Sequence, residues 1–375
     1  ALSHLFDLAD PVAIETVDLR NAAGRVLAQD VAATRTQPPF SASAMDGYAV
    51  RSAEVEPDAM FKVIGEAAEG HGFQGTVGAG QCVRIFTGAP LPEGADRVVI
   101  QEDVTRRGDL VTLGRDLDTK SHVRPAGGDF KAGDRMAAPK RLGPADIALL
   151  ASMNIAQVPV KRRPEVAILA TGDELVAPGE VPGPDQIIAS NSYGLAAQLQ
   201  AIGAHPRFLP IARDNVASLK TAFDLALGAD LIVTIGGASV GDHDLVAEAA
   251  ADHGMNQSFY TVAMRPGKPL MAGRLQGTPM IGLPGNPVSA LVCGTIFVAP
   301  VLRAMMGLGE APARRTKGIL AAPIGQNGPR EHYMRAVLED DGLRVFDRQD
   351  SSLLTVLAGA NALVVRPPHD PPQPE

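Results

Sequence analysis

The chain has 375 residues, of which 45% are hydrophobic and 20% charged, so it can bury cores and global disorder is not expected. Its formal net charge of −8 argues against a broad nucleic-acid-binding surface, which needs positive charge. Trp is absent and aromatic residues make up 4%, which argues against a membrane-interface aromatic belt. The length predicts about two to four domains.

Cysteine usage and apolar runs predict the compartment. The two cysteines, Cys82 and Cys293, lie far apart in apolar stretches, so we expect buried, unreactive thiols rather than disulfides or a metal site. The longest apolar runs are short and interrupted, and the first residues lack the basic-then-apolar pattern of a secretory signal. We therefore expect no membrane span, no membrane partner and a cytoplasmic location.

The first part of the chain changes character twice. Residues 1–30 alternate short helical and strand-like pieces. From 48 to 135, short apolar runs are separated by Gly, Pro and Asp every 8–12 residues, a spacing that predicts a small β-barrel or sandwich. Helical periodicity returns at 143–153, with Pro144 near the start of the helix.

From residue 164 onward, apolar strands alternate with helical segments. Buried-strand runs occur at 164–170 and 230–237, and the longest helical segment covers 287–307. This alternation predicts a parallel α/β sheet with its ligand site at the carboxyl ends of the strands. After about residue 312 strands dominate again, and the proline-rich residues 367–375 predict a disordered tail.

Three loops of the α/β segment, at 171–175, 210–214 and 236–244, follow strands and should share one edge of the sheet. Their glycines let backbone N–H groups approach an anion, and their acidic residues could hold Mg²⁺ against phosphate oxygens. Together they predict a metal–phosphate or metal–nucleotide site. The alternative is that the acidic residues only cap helices and the glycines only form turns.

A fourth segment, 264–269, places Arg265 and Lys268 around a rigid Pro-Gly turn. Two cations at such a turn suit a tetrahedral oxyanion, although an exposed hairpin tip is the alternative. The sequence lacks a Walker A loop, a GxGxxG motif, HExxH, GxSxG and any Cys/His cluster, and its eight histidines are scattered. Nucleotide binding of the first two types is therefore disfavoured.

Eight segments stand in order along the chain: PPFSASAMDGYAV (38–50), TGAPLPEGAD (87–96), RPAGGDFKAGD (124–134), TGDELV (171–176), SNSYGL (190–195), GGASVGDHD (236–244), RPGKPL (265–270) and GLPGNPVSALV (282–292). Together they resemble the molybdopterin molybdenumtransferase family, the MoeA type that also forms the E domains of gephyrin and of its plant counterpart. TGDEL and GGxSxGxxD alone are less specific, because related molybdopterin-binding domains and CinA-type proteins share them; SAMDGYA, TGAPLP and PGNPVSA make the resemblance specific.

The resemblance implies a fold of four domains. Domain I would be a discontinuous, mixed α+β linker domain of residues 1–34 and 133–163, with an inserted β-rich domain II at 35–132. A central three-layer α/β molybdopterin-binding domain III would cover 164–312, and a C-terminal β-barrel-like domain IV would cover 313–375. The resemblance also implies an elongated homodimer whose active site is shared between subunits.

The implied reaction is molybdenum insertion into adenylated molybdopterin, with Mg²⁺-dependent cleavage of the adenylate to give molybdenum cofactor and AMP. Molybdopterin adenylyltransferase and molybdoenzymes or their chaperones are the expected partners. Two alternatives remain: a non-catalytic, gephyrin-like dimeric scaffold, and a CinA-like nucleotide hydrolase or amidase. The intact acidic loops disfavour the first, and the β segments at 35–132 and 313–366 disfavour the second.

The resemblance also assigns residues. Its acidic cluster corresponds to Asp173, Glu174, Asp214, Asp242 and Asp244, with Glu174 and Asp244 as Mg²⁺ ligands. Molybdate contacts are implied for Arg265, Lys268, Arg335 and Ser352. Further substrate contacts are implied for Asp46, Thr87, Asp129, Thr171, Ser190, Asn191, Gly236, Gly237, Ser239 and Pro269.

Three of these residues, Asp46, Thr87 and Asp129, are expected to face the active site of the other subunit. For Asp46 a plain hairpin turn with Gly47 is the alternative.

The chain departs from the family pattern at two positions in and near the segment 264–269, which is expected to bind the anion. Many members carry Lys where Arg265 stands, and some carry a basic residue at the position of Thr261, so these two positions bear on anion affinity.

Overall fold

A computed structural model describes residues 1–237 and 245–374. The first part of the chain contains α1 (Leu2–Phe6), β1 (Ile14–Asp18), β2 (Val26–Leu27) and β3 (Val31–Ala32). Eight strands follow: β4 (Ala42–Ser43), β5 (Gly47–Val50), β6 (Met60–Ala67), β7 (Gln81–Ile85), β8 (Arg97–Ile100), β9 (Val104–Arg107), β10 (Leu110–Leu113) and β11 (Val123–Arg124). The chain then returns through β12 (Arg135–Met136), β13 (Lys140–Arg141), α2 (Pro144–Ser152) and β14 (Gln157–Lys161).

Strands from both ends of this region form one sheet in the order β1-β14-β2-β13, and β3 pairs with β12. Each of these ladders is antiparallel. A buried core of Leu27, Leu142, Leu150 and Val158 joins the two chain segments. The residues between the segments fold separately from this sheet.

The intervening residues form a six-stranded sheet in the order β8-β5-β7-β6-β10-β9. Successive residues of β5 point to opposite faces, and both faces are buried. Tyr48 and Val50 pack in one apolar cluster, whereas Ala49 packs in another. A sheet buried on both faces is a curled or sandwich-like arrangement, as the short-strand spacing predicts.

The central part of the chain is a three-layer α/β unit. It contains β15 (Glu165–Ala170), β16 (Leu175–Val176), β17 (Ile187–Ile188), α3 (Asn191–Ile202), β18 (His205–Phe208), α4 (Val216–Ala226), β19 (Leu231–Ile235), α5 (Leu245–Asp252), β20 (Met255–Thr261), β21 (Met264–Arg265), β22 (Pro269–Leu275), β23 (Thr278–Leu283), α6 (Pro287–Cys293), a π-helical turn (Gly294–Val298) and α7 (Ala299–Met305). Its sheet has the order β18-β15-β19-β23-β22-β20.

This sheet corrects one expectation from the sequence. Its first four strands are parallel, as predicted, but β22 pairs antiparallel with β23 and β20 pairs antiparallel with β22. The reason is the connection: only Gln276 and Gly277, both with positive φ, join β22 to β23. A parallel crossover needs about a dozen residues, so these two strands must form a hairpin.

Helices cover both faces of the sheet. Val166 and Ile168 of β15 pack in one core, together with α3, α6 and α7, whereas Ala167 and Leu169 pack in the other, with α4 and α5. The continuous helical segment Pro287–Met305 is long and apolar enough to cross a membrane by length and composition, contrary to the expectation of no such segment. It is 72% buried inside the protein, as expected of a core helix.

The last part of the chain contains β24 (Glu331–Glu339), β25 (Gly342–Val345), α8 (Leu354–Ala358) and β26 (Ala362–Arg366). β24 is central: it pairs with β25, with β26 and, in parallel, with β21 of the preceding unit. The tail predicted to be disordered is not free. Gln373 and Ile324 exchange two backbone hydrogen bonds of 3.0 Å, because Gln373 retains the N–H donor that the neighbouring prolines lack.

Candidate functional site

The carboxyl ends of β15 and β19 meet where the strand order of the sheet changes direction. The chain passes from β15 to β18 at one edge and then returns across β15 to β19. This reversal leaves a crevice between the ends of β15 and β19, which is the usual ligand position in an open α/β sheet. Thr171 N–H donates to the carbonyl of Ile235 at 3.1 Å, and Gly172 N–H donates to the carbonyl of Ala212 at 3.1 Å. These bonds bring the loops after three strands together.

Two glycines keep this crevice open. Gly236 and Gly237 have φ of 99° and 68°, which disfavours other residues. A Cβ on Gly236 would lie 2.7 Å from the carbonyl oxygen of Thr171, and one on Gly237 would lie 2.0 Å from a methyl of Val246. Within residues 1–237 and 245–374, the buried Thr171 hydroxyl has no hydrogen-bond partner. The backbone therefore approaches closely here for both steric and conformational reasons.

Asp173 and Asp214 face each other across two loops. Asp173 N–H donates to Oδ2 of Asp214 at 3.4 Å, and Asp214 N–H donates to Oδ1 of Asp173 at 3.2 Å. Arg213 donates to the backbone carbonyl of Asp173, at 3.0 Å, and not to its carboxylate. Two exposed carboxylates thus lie side by side with backbone N–H partners, which suits Mg²⁺ because it takes one or two carboxylates plus phosphate oxygens.

The other predicted acidic residues divide into two groups. The Glu174 carboxylate folds back over Gly172, since a Cβ on Gly172 would lie 2.3 Å from Glu174 Oε2. Asp242 and Asp244, with Ser239, lie outside the described residues. Within the described ranges, no group of three or more His, Cys, Asp and Glu side chains forms a metal cluster. The structure therefore places three of the five predicted carboxylates at the crevice.

The first turn of α3 closes another side of the crevice. Asn191 Nδ2 donates to the carbonyl of Gly285 at 2.7 Å, and Ser190 Oγ lies 3.3 Å from Asn191 Oδ1. Gly285 itself lies beside Gly236. Ser190 and Asn191, both predicted from the sequence, are thereby attached to the glycine turn.

Arg335, on β24, is the most unusual charged residue among those described. It is fully buried, its Nη2 donates to the carbonyl of Asp350 at 3.0 Å, and its Nε and Nη1 have no partner among the described residues. Burial, followed by the charge of Arg265, lowers the pKa of Arg335. An arginine with two unpartnered buried donors is a strong candidate to bind an oxyanion.

The neighbours of Arg335 connect it to the crevice. Ser352 donates its hydroxyl and its N–H to Oδ1 of Asp350, at 2.6 and 2.8 Å. Ser351 accepts from Val288 N–H at 3.1 Å, so this loop lies on the first turn of α6, just after Gly285. Arg335 is thus linked to Ser352 through Asp350 and lies within the field of Arg265. Arg265, Lys268 and Ser352 are all exposed, and Pro269 begins β22.

His332 is a residue that the sequence analysis missed. It is 7% exposed, its buried Nε2 has no partner in the ranges that the structure describes, and it stands opposite Arg265 in one ladder and Arg366 in the other. Burial lowers its pKa to about 4, with further lowering by Arg265, Arg335, Arg330 and Arg366. His332 is therefore neutral at neutral pH. A lone histidine in HYMRA offered no signal, because its burial, which is the largest cause of the lowered pKa, and its position opposite Arg265 and Arg366 depend on strand pairing between distant parts of the chain.

This burial gives His332 a stability signature. Since the side chain titrates near 6.5 when unfolded and near 4 when folded, the unfolded state binds more protons between these values. The free energy of unfolding should fall as pH drops from 6.5 to 4, by about 2 kcal/mol. Urea unfolding at several pH values should show a flatter dependence for His332→Asn over this window. Equal slopes for the two proteins would contradict the burial of a neutral ring.

Asp46 and Thr87 form a second, separate pair in the β-rich region. Asp46 Oδ1 accepts from Thr87 N–H at 2.8 Å and from its hydroxyl at 2.9 Å, which lowers the pKa of Asp46. Arg84 stacks over the rings of Tyr48 and Phe86 and donates to the carbonyl of Gly47. Asp46 thus anchors the loop of Thr87 and does more than form a turn with Gly47.

Asp129 lies apart from this pair, in a turn where its N–H donates to the carbonyl of Gln37 at 3.1 Å. Among the described residues, no hydrogen bond or ion pair joins Asp46, Thr87 or Asp129 to the crevice. Within one chain, the contacts among the described residues connect the crevice of the α/β sheet to Arg335 and its neighbours Arg265 and Ser352, which we call the arginine pocket. They do not connect Asp46, Thr87 or Asp129 to the crevice or to the arginine pocket.

Comparisons with known proteins match nearly the whole chain. A molybdopterin molybdenumtransferase of Nostoc sp. is 39% identical over 370 residues, which cover 94% of this chain and 85% of that protein. This chain belongs to the molybdopterin molybdenumtransferase family. Three family models match it in order: MoeA N-terminal region (domain I and II) at 1–154, probable molybdopterin binding domain at 167–304, and MoeA C-terminal region (domain IV) at 317–372.

Further members of the molybdopterin molybdenumtransferase family agree. The Haemophilus influenzae enzyme is 37% identical over 306 residues, covering 81% of this chain and 76% of its own. Two structures of the molybdopterin biosynthesis MoeA protein from Pyrococcus horikoshii superpose with TM-scores of 0.81 and 0.85, at 30% and 26% identity. They cover 99% and 100% of this chain, and 94% and 96% of their own. The chain is thus a transferase of molybdenum cofactor biosynthesis with the multidomain fold of this family.

Proposed function

We propose that this enzyme inserts molybdenum from molybdate into adenylated molybdopterin and cleaves the adenylate in the same site, releasing AMP. One observation carries the proposal: buried arginine donors that have no partner among the described residues are connected, through the first turn of α6, to the glycine turns and their paired carboxylates. The arginine pocket contains Arg335 and Arg265 and reaches the glycine turns through the contact between Ser351 and Val288. A tetrahedral oxyanion and a phosphate ester would be held at neighbouring points by these two groups.

The chain's own residues have distinct roles in this proposal. The N–H of Gly237 binds the phosphate of the adenylate, whereas the N–H groups of Gly172 and Gly236 donate to the carbonyls of Ala212 and Leu283 and hold the turns in place. Asp173 and Asp214 hold Mg²⁺, with Glu174 and Asp244 as further candidates by resemblance. When bound, Mg²⁺ neutralises charge that develops on the leaving phosphate. Arg335, Arg265, Lys268 and Ser352 bind molybdate, which is a substrate here.

The position of Asp46, Thr87 and Asp129 supports a dimer. These residues have no described contact with the crevice of their own chain, as expected if they serve the crevice of a second copy. We therefore propose a homodimer with shared active sites, which light scattering should detect as about twice the 39.1 kDa of one chain. The dimer would receive its substrate from an enzyme that adenylates molybdopterin. It would transfer its product to molybdoenzymes or their chaperones.

The scaffold alternative has less support. A non-catalytic scaffold has no use for unpartnered buried donors on Arg335, whose burial is costly without a ligand. A CinA-like activity would leave the segments at 1–154 and 317–372 without a role.

One assay tests the proposed reaction. The purified protein, adenylated molybdopterin, molybdate and Mg²⁺ should together give equimolar AMP and cofactor, measured by nucleotide chromatography and by activation of a cofactor-free molybdoenzyme. Removing Mg²⁺ with a chelator should stop both, and adding it back should restore both. AMP release that continues at the full rate in chelator would contradict the metal dependence. Absence of active cofactor in the complete mixture would contradict the function.

A further inference from the structure

Arg84, in the β-rich region, contacts aromatic rings and uncharged oxygens. It lies on β7, opposite Tyr48 of β5, and its guanidinium is 5.2 Å from the centroid of the Tyr48 ring and 4.7 Å from that of Phe86. Both of its hydrogen bonds within the described residues go to uncharged acceptors, the carbonyl of Gly47 at 3.1 Å and Oε1 of Gln101 at 2.6 Å. Because the guanidinium is a planar fork, it fixes the directions of the two groups that it bonds.

The two acceptors of Arg84 hold the main chain of Asp46. Gly47 follows Asp46 directly, so the bond from Nη1 fixes the next carbonyl in the chain. Gln101, which accepts from Nη2, donates its own N–H to the carbonyl of Asp46 at 3.0 Å. The backbone has little room to compensate, since a Cβ on Gly47 would lie 2.1 Å from the carbonyl oxygen of Val99. The direction of the Asp46 side chain therefore depends on Arg84.

Arg84 also contacts the segment that leads to Thr87. Phe86, over which the guanidinium stacks, directly precedes Thr87. Thr87 donates its N–H and its hydroxyl to Oδ1 of Asp46, at 2.8 and 2.9 Å. A single guanidinium thus supports both loops that meet at this carboxylate, through a charge-assisted hydrogen bond on one side and a cation–π contact on the other.

The arrangement leaves one oxygen of Asp46 for a ligand. Within the described residues, Oδ1 accepts both hydrogen bonds from Thr87 and Oδ2 accepts none. The bonds from Thr87, and then the charge of Arg84, lower the pKa of Asp46, so its carboxylate stays ionised at neutral pH. Oδ2 therefore presents a charged acceptor of fixed direction to a molecule outside this chain.

We propose that Arg84 is a positioning residue for the reaction, which holds Asp46 and Thr87 in the geometry in which they serve the active site of a second copy. Arg84 itself does not contact the substrate in this proposal. The inference rests on the proposed function, and it adds to that function a residue that acts only through the joined pair of Asp46 and Thr87. A merely structural arginine would instead stabilise the sheet of β5 and β7 whether or not Asp46 is present.

A double-mutant cycle tests this inference in the complete reaction of adenylated molybdopterin, molybdate and Mg²⁺. Arg84→Met, which keeps an apolar stem over the rings, should slow cofactor formation about 10- to 100-fold, as small displacements of reacting groups do. Asp46→Ala should slow it at least as much. Adding Arg84→Met to Asp46→Ala should then change the rate by less than about twofold, because Arg84 has no carboxylate left to position.

Matched variants make the result specific. Arg84→Lys keeps the charge but not the fork, so it should recover part of the rate. Gln101→Ala removes one acceptor of Arg84 at an exposed position and should slow the reaction about threefold. Arg107→Met, at an exposed arginine on β9 of the same sheet, should change nothing. Urea unfolding shows which variants are folded.

A mixed dimer identifies the active site that Arg84 serves. One subunit carries Arg84→Met and the other carries Asp214→Asn, so the crevice that keeps Asp214 is served by the unmodified β-rich region of the other subunit. About half of the parent rate should return, since one of two symmetric sites is intact. Dimers of either variant alone should stay slow.

The outcomes that overturn the assignment are distinct. They are an unchanged rate in folded Arg84→Met, or in Gln101→Ala if Arg84→Met does not fold; a full rate in Asp46→Ala; a double variant whose loss multiplies the two single losses; and a mixed dimer that stays slow. A parent protein that makes no cofactor would contradict the proposed function instead. A parent that makes cofactor, beside Arg84 variants of equal rate, would contradict this inference alone.

Discussion

Arg335→Gln is expected to raise the molybdate concentration needed for half-maximal cofactor formation by about 10²- to 10³-fold. The parent arginine presents Nε and Nη1 in a buried position without a partner in the described part of the chain, so an oxyanion can supply their acceptors. Glutamine keeps a polar side chain but removes the charge and the fork of N–H groups. The measurement is the rate of active cofactor formation as a function of molybdate concentration.

Two further variants make this result specific. Arg335→Lys keeps a positive charge without the planar fork, so it should recover only part of the affinity. Arg344→Gln, on the neighbouring strand β25, removes an exposed arginine paired with Glu339 and Asp341 and should leave the molybdate dependence unchanged. A folded Arg335→Gln protein with an unaltered molybdate dependence would show that Arg335 does not contact the anion.

Asp214→Asn is expected to slow AMP release about 10²-fold and to raise the Mg²⁺ concentration that the reaction needs. The substitution distinguishes carboxylates that bind Mg²⁺ from carboxylates that only hold the loops together. An asparagine Oδ1 can still accept the N–H of Asp173, so the contact between the loops survives and only the charge is lost. AMP release at saturating adenylate, titrated with Mg²⁺, is the measurement.

The companion variant Asp173→Asn should behave in the same way, because its carboxylate accepts the N–H of Asp214 symmetrically. Asp252→Asn changes an exposed carboxylate at the end of α5 and serves as the control for surface charge. If both loop variants keep the parent rate and the parent Mg²⁺ dependence, the carboxylates only brace the loops, and a cation site must be sought elsewhere.

The crevice could be predicted from the sequence because it depends on local rules. Apolar runs identify β15 and β19, and loops at the carboxyl ends of parallel strands share one edge, so Thr171 and Gly236 had to be close. The direction of β22 could not be read from its apolar run, because buried parallel and antiparallel strands look alike. The short Gln276-Gly277 connection was the available signal for a hairpin.

The arginine pocket was less accessible to sequence reasoning. Arg265 and His332 meet only because β21 pairs with β24, two strands from different units of the chain. The hydrophobic periodicity of the sequence does not indicate that β21 pairs with β24. The resemblance to a family implied Arg335 and Ser352, but His332 needed the structure, because its neutral state follows first from burial, and Arg265 and Arg366 reach it only through strand pairing.

The antiparallel sheet that joins β1 to β14 has a consequence for biosynthesis. Residues Ile14–Asp18 of β1 pair with Gln157–Lys161 of β14, so the first strand has no such partner on the ribosome until residue 157 has been made. The six-stranded sheet of the inserted region needs only residues 47–113. Units completed earlier during translation fold earlier. The inserted unit therefore folds first, while the sheet that carries it closes only when the chain has returned.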